Sequence, residues 1–146
     1  MTPDDPLLIA ELRRDEGVEY MPYLDTMGIP TVGVGHNLRA VPLPKIWTYP
    51  LSDEQVDTVL AADLVEVFVQ LDDKLPWWRK LDYERQRVIC NMAFNLGING
   101  LLGFKNTLAA VEHGRYSAAG AGMAASKWAT QVGARADRLV DMMVNA

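Results

Sequence analysis

The clearest hydrophobic pattern of the chain lies in the middle of the sequence. Apolar residues recur there at intervals of three and four, which is the spacing of one face of an amphipathic helix. These residues are Val56, Val59, Leu60, Leu64, Val67, Phe68 and Leu71. Ser52 and Gln55 have the spacing of a capping box, and Pro76 ends the pattern. We therefore predict one long helix over about 53–75, which could connect two lobes.

The N-terminal segment changes from a helical to an alternating pattern. Thr2, followed by a proline, has the marks of a helix start, and Gly17 should end that helix. Residues 20–24 and 29–34 are typical of short strands, joined by a turn with the sequence DTMG. Residues 36–51 contain three prolines and predict an irregular connection.

The second half of the chain has helical patterns throughout. Asp82 can cap a helix that runs to Gly97 and is apolar on most sides. Further helices are predicted at 104–113, 116–128 and 134–144. Small residues dominate 118–125, which permits helices to pack closely there.

These elements predict a single α+β domain over residues 1–146. We expect a small lobe with a β-hairpin at about 15–55, followed by the connecting helix. A mainly helical lobe should comprise about 76–146 together with the N-terminal helix.

Charge is distributed unevenly between the two halves. Residues 1–75 carry 5 basic and 14 acidic side chains, whereas residues 76–146 carry 9 basic and 5 acidic ones. The basic residues are scattered and form no dense stripe, so we expect no nucleic-acid binding. No apolar run approaches the roughly 18 residues of a membrane span, so we also expect no stable membrane insertion.

Cysteine and histidine do not indicate a metal site. Cys90 is the only cysteine and lies within an apolar helical pattern, so core packing is its expected role. His36 and His113 have no other histidine or cysteine close by in sequence, which disfavours zinc. We expect no metal and no organic cofactor. Hydrophobic packing is also the expected role of Trp47, Trp77 and Trp78, ahead of stacking on sugars.

Two carboxylates near the N-terminus are the first candidates for chemistry. Glu16 lies four residues after Leu12 and eight after Leu8, so it should point inward on the same helix face. Asp15 should instead lie on the polar face. Burial and the negative end of the helix dipole both favour the protonated form of a carboxyl group at Glu16. Such a group can act as a general acid.

The second carboxylate occupies a different environment. Asp25 begins the predicted turn, where water and backbone N–H groups can keep it ionised. Thr31 alternates with two valines along the next strand. If the valines face the core, Thr31 and Gly33 face an open groove. Two carboxyl groups with opposed environments across such a groove are what glycoside hydrolysis requires.

Each candidate also has a purely structural interpretation. Glu16 could be a helix-end acid in an ion pair, Asp25 a turn former, Thr31 an ordinary strand residue and His36 a structural hydrogen-bonding residue. The spacing alone does not separate a glycosidase from a carbohydrate-binding module.

The order and spacing of Glu16, Asp25 and Thr31, with their glycine-rich context, resemble the phage-type lysozymes of glycoside hydrolase family 24. Four segments of the second half resemble the helical lobe of that family in the same order. They are 91-NMAFNLG-97, 101-LLGFKNTL-108, 126-SKW-128 and 133-GAR-135.

The resemblance implies a two-lobed, lysozyme-like fold with the substrate cleft between the lobes. It further implies hydrolysis of the β-1,4 bond between N-acetylmuramic acid and N-acetylglucosamine in peptidoglycan, with inversion. Glu16 would be the general acid, while Asp25 and Thr31 would activate and hold the attacking water.

The resemblance assigns further residues to the surroundings of the reaction. Asn95 and Arg135 match cleft-side positions of the helical lobe, so they are candidates for substrate binding together with Gly33, which strand alternation places beside Thr31. His36 matches a structural histidine near the site. The implied partner is the peptidoglycan glycan strand, and we expect a monomer.

Biologically, the resemblance implies a phage endolysin that degrades the cell wall. The N-terminus lacks the features of a secretory signal, so we expect synthesis in the host cytoplasm and action in the periplasm after release. A toxin domain or a tail-associated wall-penetrating domain is an alternative setting. A non-catalytic peptidoglycan-binding or structural domain and a lytic transglycosylase are the alternative activities.

Overall fold

Seven α-helices and a three-stranded antiparallel sheet form the chain, and the computed structural model describes all 146 residues. In chain order the elements are α1 (Pro6–Glu16), β1 (Glu19–Leu24), β2 (Pro30–Gly33), β3 (His36–Asn37), α2 (Asp53–Lys74), α3 (Tyr83–Leu102), α4 (Lys105–Glu112), α5 (Tyr116–Ala124), α6 (Lys127–Val132) and α7 (Ala134–Asn145). The predicted α+β class is confirmed. None of the helices combines the length and the apolar character needed to cross a membrane.

The chain divides into two compact units. Residues 2–66 form the first unit, and Met1 with residues 67–146 forms the second. The first unit contains α1, which the sequence analysis had grouped with the helical lobe. The helix α2 is continuous and contributes its first part to the first unit and its last part to the second.

The start of α1 differs from the prediction, whereas its end agrees. The cap is Asp5 and not Thr2, since the Asp5 carboxylate accepts a hydrogen bond from the backbone of Leu8 and Pro6 is the first helical residue. Both Thr2 and Asp5 precede a proline, so the local signal occurs twice. Gly17 ends the helix with φ of 78° and donates its N–H to the Arg13 carbonyl.

The start of α2 confirms the predicted capping box. The backbone N–H of Gln55 donates to the Ser52 hydroxyl at 3.1 Å, and the backbone N–H of Ser52 donates to the Gln55 side chain at 2.9 Å. Every residue of the periodic set except Val67 is buried, as its spacing predicted. The pattern therefore located the helix and most of its inward face.

The sheet is built on the predicted hairpin and has one strand more than predicted. β1 pairs with β2, and β2 pairs with the two-residue β3, which lies in the segment predicted to be irregular. Val32 of β2 and Val34, which follows the strand, are 0% and 2% exposed, so both valines do face the core. A strand of two residues is too short to produce an alternating pattern.

In the second unit, α3 follows the prediction closely. Asp82 caps the helix by accepting from the backbone of Arg85, and Gly97 interrupts it with φ of 74° and ψ of 162°. The apolar segment between them is almost entirely buried, including Cys90 at 0% exposure. Cys90 therefore packs in the core as predicted.

The predicted helix over 116–128 is two helices. Ser126 interrupts it and caps α6, because its hydroxyl accepts from the backbone of Ala129. Gly120 of α5 lies so close to α7 that an added Cβ would stand 2.3 Å from the Val144 side chain. The small residues of this segment thus permit close helix packing, as predicted.

Trp78 has the packing role expected of it. Its side chain is fully buried, and its ring meets Phe68 edge to face with centroids 5.1 Å apart. The indole N–H donates to Asp72 at 2.8 Å. Trp78 is therefore a core residue of the second unit and not a sugar-stacking surface.

Candidate active site

A single residue, Ile29, ties two of the three predicted catalytic residues together. Its N–H donates to Asp25 Oδ1 at 2.9 Å, and its carbonyl accepts from the Asp25 N–H at 3.0 Å. The same carbonyl accepts from the Thr31 hydroxyl at 2.8 Å. Asp25 and Thr31 therefore belong to one hydrogen-bonded frame at the end of the hairpin.

The Asp25 carboxylate is held by only one of its oxygens. Oδ1 accepts from the N–H groups of Met27 and Ile29, at 2.8 and 2.9 Å. Gly28 closes the turn by donating to the Asp25 carbonyl, and its φ of 74° suits glycine. Oδ2 accepts no hydrogen bond within the protein. The turn thus orients the carboxylate and leaves one oxygen available to a ligand or water.

Thr31 occupies a more enclosed position than the strand alternation predicted. It is 4% exposed, so it does not stand in an open groove, and that part of the prediction is wrong. Gly33, two residues further along β2, is also buried and has φ of 68°. An added Cβ at Gly33 would meet no atom within 4 Å, so the backbone conformation and not lack of space favours glycine there.

The orientations predicted for the two neighbouring acids at the end of α1 are reversed. The Asp15 side chain is 1% exposed and pairs with Arg14 Nε at 3.1 Å, whereas Glu16 is exposed. Asp15 follows Leu12 by three residues and Leu8 by seven, so it continues the buried face equally well. Glu16 is the last helical residue before Gly17 turns the chain, and the residue as a whole is exposed.

His36 is buried and has a polar partner at each ring nitrogen, and the structural role predicted for it stays a prediction. It is 4% exposed, its Nδ1 lies 2.8 Å from an Asp63 oxygen, and its Nε2 lies 2.8 Å from the Val41 carbonyl. Both partners are acceptors, so both ring nitrogens donate, as in the imidazolium form. The hydrogen bond to Asp63 raises the pKa of His36 above its ordinary value of 6.5, and the bond to Val41 adds to this.

The His36–Asp63 pair makes the stability of the protein depend on pH. Because the pKa of His36 is raised in the folded state, its contribution is complete below about pH 6.5 and is lost as pH rises through the folded pKa. We expect His36→Gln to lower the free energy of unfolding by about 2 kcal/mol at pH 6, and by less at pH 8.5. Urea unfolding of both proteins at the two pH values measures this difference. An equal difference at both pH values would contradict it.

The two substrate-binding candidates of the second unit have different surroundings. Asn95 is half-buried, its side-chain oxygen accepts from the Trp128 indole at 2.7 Å, and its amide nitrogen donates to no group of the protein. Arg135 is buried, and its Nε and Nη2 donate to Asn91 Oδ1 at 2.9 and 2.7 Å. A substrate-binding role for either residue stays a prediction.

Sequence reasoning did not find several polar partners of these residues. Asp63, Asn91 and Asp53 each bind a residue far away in sequence, and each lies in an ordinary helical pattern. A buried polar residue such as Asn91, within an otherwise apolar run, was the one local signal available.

The structure has no group of three or more histidine, cysteine, aspartate or glutamate side chains that could hold a metal ion.

Known proteins resemble this chain over most of its length. The family model described as phage lysozyme matches residues 13–142. The pre-baseplate central spike protein Gp5 of Enterobacteria phage T4 is 32% identical, over 94% of this chain and 28% of its own length. The probable T4-type lysozyme 1 of Dictyostelium discoideum is 26% identical over 90% of each chain. The endolysin of Salmonella phage P22 is 29% identical over 65% of this chain and 64% of its own length.

The family match, on a chain with an α+β fold, defines a lysozyme-type glycoside hydrolase. The chain belongs to the phage lysozyme family. It spans a little over a quarter of the spike protein, 28% of its length, so relatives of this chain occur both as small proteins and within a much larger one.

Proposed function

We propose that this chain hydrolyses the β-1,4 bond between N-acetylmuramic acid and N-acetylglucosamine in peptidoglycan glycan strands. The observation that carries the proposal is the Asp25–Ile29–Thr31 frame, which fixes one carboxylate oxygen and leaves the other available. Family membership supports the substrate class, because the small relatives are named lysozymes and an endolysin.

In the proposed reaction Glu16 is the general acid. Its carboxyl group donates a proton to the glycosidic oxygen as the bond from that oxygen to the anomeric carbon breaks. The sugar that leaves gains a hydroxyl group. The other sugar develops positive charge at its anomeric carbon, which water attacks.

Asp25 and Thr31 orient that water in the proposed reaction. The Thr31 hydrogen is engaged with the Ile29 carbonyl, so the hydroxyl oxygen offers its lone pairs and can accept from the water. Asp25 Oδ2 can accept the second water hydrogen and then remove it as a proton. With both hydrogens accepted, the water directs a lone pair at the anomeric carbon.

We also propose that the reaction inverts the configuration at the anomeric carbon, which requires a certain distance between the two carboxyl groups. An inverting pair of carboxyl groups stands about 6.5–9.5 Å apart, which leaves room for the water between Asp25 and the sugar. Asp25 fits the role of the base in such a pair. Two backbone N–H groups hold its carboxylate in place, and its second oxygen stays available to the water. We further propose that the chain acts as a monomer and that the amide of Asn95 donates to a polar group of the sugar.

Product analysis on purified peptidoglycan tests the proposed function. Mass spectrometry should find new reducing-end N-acetylmuramic acid, and early proton NMR should show the inverted anomer first. Products with 1,6-anhydro ends would establish a lytic transglycosylase instead. Binding to the wall without any cleavage would establish a non-catalytic binding domain.

The similarity to the spike protein favours a second setting for the same activity. We propose endolysin-type action during lysis as the first setting and local wall penetration by a tail structure as the second. Proteomic analysis of purified virions and of the cleared lysate separates the two. Recovery of this chain in stoichiometric amounts from virions would support the tail-associated setting, and recovery only from the soluble lysate would support the endolysin.

A further inference from the structure

One exposed carboxylate binds side chains from both α1 and β1. Asp53, the first residue of α2, accepts at Oδ1 from Arg13 Nη2 at 2.7 Å and from the Tyr20 hydroxyl at 2.6 Å. Arg13 Nη1 also donates to Asp57 at 2.7 Å. We call Arg13, Tyr20 and Asp53 the Asp53 clamp.

The clamp bridges the connection between α1 and β1. Arg13 lies three residues before Glu16, and its carbonyl accepts the N–H of Gly17 at 3.0 Å. Tyr20 lies three residues after Gly17, in β1, and its carbonyl accepts from the N–H of Leu51 at 2.9 Å. Only Gly17 and one further residue connect the helix to the strand. The clamp therefore joins the two elements on either side of this short link.

Those two elements carry different parts of the proposed catalytic group. Glu16 ends α1, whereas Asp25 and Thr31 are fixed to each other through Ile29 at the far end of the hairpin that β1 begins. Ile29 forms its hydrogen bonds with Asp25 and Thr31, and none with Glu16. The direction in which β1 leaves Gly17 consequently influences how far Glu16 stands from Asp25.

The Asp53 clamp should contribute little to the stability of the fold. The side chains of Asp53 and Asp57 are 71% and 51% exposed, and exposed ion pairs typically contribute little to the stability of a fold. Hydrogen bonds from Tyr20 and Arg13 hold the pKa of Asp53 below its ordinary value, so the carboxylate is charged at neutral pH. The directional bonds of this charged group to two elements are better suited to fixing geometry.

We propose that Asp53, Arg13 and Tyr20 are positioning residues that set the separation between Glu16 and Asp25. The inference rests on the proposed hydrolysis and names residues outside its catalytic group. Catalysis is sensitive to such a separation, because displacing a reacting group by about 1 Å can lower the rate by about 100-fold. Release of the clamp should therefore slow the bond-breaking step without weakening substrate binding.

The test compares two small changes, Tyr20→Phe and Asp53→Asn, in kinetics on soluble peptidoglycan fragments. We expect each to lower kcat about tenfold with KM unchanged. Loss of one link should displace Glu16 by well below 1 Å relative to Asp25, so the loss of rate should be smaller than the 100-fold expected for about 1 Å. The double variant should lose little more than the stronger single variant, since both changes break the same link. Tyr20→Phe removes one oxygen atom, so it serves if Asp53→Asn fails to fold.

The second unit offers a matched control. Asp72 Oδ1 also accepts from an arginine and an aromatic residue, Arg79 Nε at 2.7 Å and Trp78 Nε1 at 2.8 Å, and its side chain is 47% exposed. Asp72→Asn removes the charge from a comparable shared acceptor that lies outside the first unit. Its kcat should stay within about twofold of wild type.

The outcomes separate this inference from the proposed function. An active wild type with unchanged kcat in both clamp variants would overturn the positioning role alone, even if the variants unfold at lower temperature. A rise in KM with unchanged kcat would also overturn it. A wild type that does not hydrolyse peptidoglycan would overturn the proposed function and this inference with it. A selective loss of kcat in the clamp variants, absent in Asp72→Asn, would support the inference.

Discussion

Replacing Glu16 with glutamine is expected to lower kcat on purified peptidoglycan by about 1,000-fold. Glutamine keeps the shape of the side chain but carries no acidic proton, and general acid catalysis contributes about 100- to 10,000-fold. Glu16 is exposed at the end of α1, so Glu16→Gln should still fold, which circular dichroism of the variant checks. Release of soluble muropeptides, measured at matched enzyme concentrations, gives the rate.

Glu66→Gln is the matched control for this loss. Glu66 is also an exposed helical glutamate of the first unit, and it makes no ion pair. Its substitution should leave kcat unchanged, while Glu16→Gln should still sediment with the cell wall. If Glu16→Gln retains more than a tenth of wild-type activity, another group supplies the proton and the assignment of the acid is wrong.

Asp25→Asn is expected to lower kcat by about 100-fold or more. The asparagine oxygen can still accept from the N–H groups of Met27 and Ile29, so the turn should persist. The amide nitrogen then occupies the position of Oδ2 and cannot take a proton from water. The variant thus removes the proposed base with little disturbance of its surroundings, and kcat measured under substrate saturation reports the loss.

Asp25→Ala provides the comparison that separates chemistry from structure. Alanine loses both hydrogen bonds to the turn, so the free energy of unfolding should fall by about 1–2 kcal/mol, whereas Asp25→Asn should stay close to wild type. Both variants should be similarly inactive. Near-normal turnover by Asp25→Asn would mean that the carboxylate serves the turn only, which is the structural interpretation left open by the sequence.

Local interactions explain which elements the sequence could predict. The capping box of α2, the turn at Asp25 and the stop at Gly17 each depend on residues within four positions of one another, and all three are present. The errors arose where two local signals competed. Thr2 and Asp5 both precede a proline, and Ser126 starts a new helix within a segment of small residues that has little periodicity.

The candidate site was predictable in its residues and less so in their orientation. Helical spacing places both Asp15 and Glu16 within reach of the face of Leu12, and the structure buries Asp15 and exposes Glu16. Strand alternation placed Thr31 opposite the valines, but alternation does not tell how deeply a face is covered.

The sequence by itself determined most of the elements, the family and the three residues proposed for catalysis, because these depend on neighbouring residues and on short spacings. Only the tertiary structure decided that Glu16 is exposed while the Asp15 side chain is buried, and that Asp25 and Thr31 both form hydrogen bonds with Ile29. It also decided which distant side chains bind Arg13 and His36. The pairs Arg13–Asp53 and His36–Asp63 join residues 40 and 27 positions apart. Such contacts exist only after helix and sheet have packed, since no periodic pattern indicates which residues distant in sequence will come into contact.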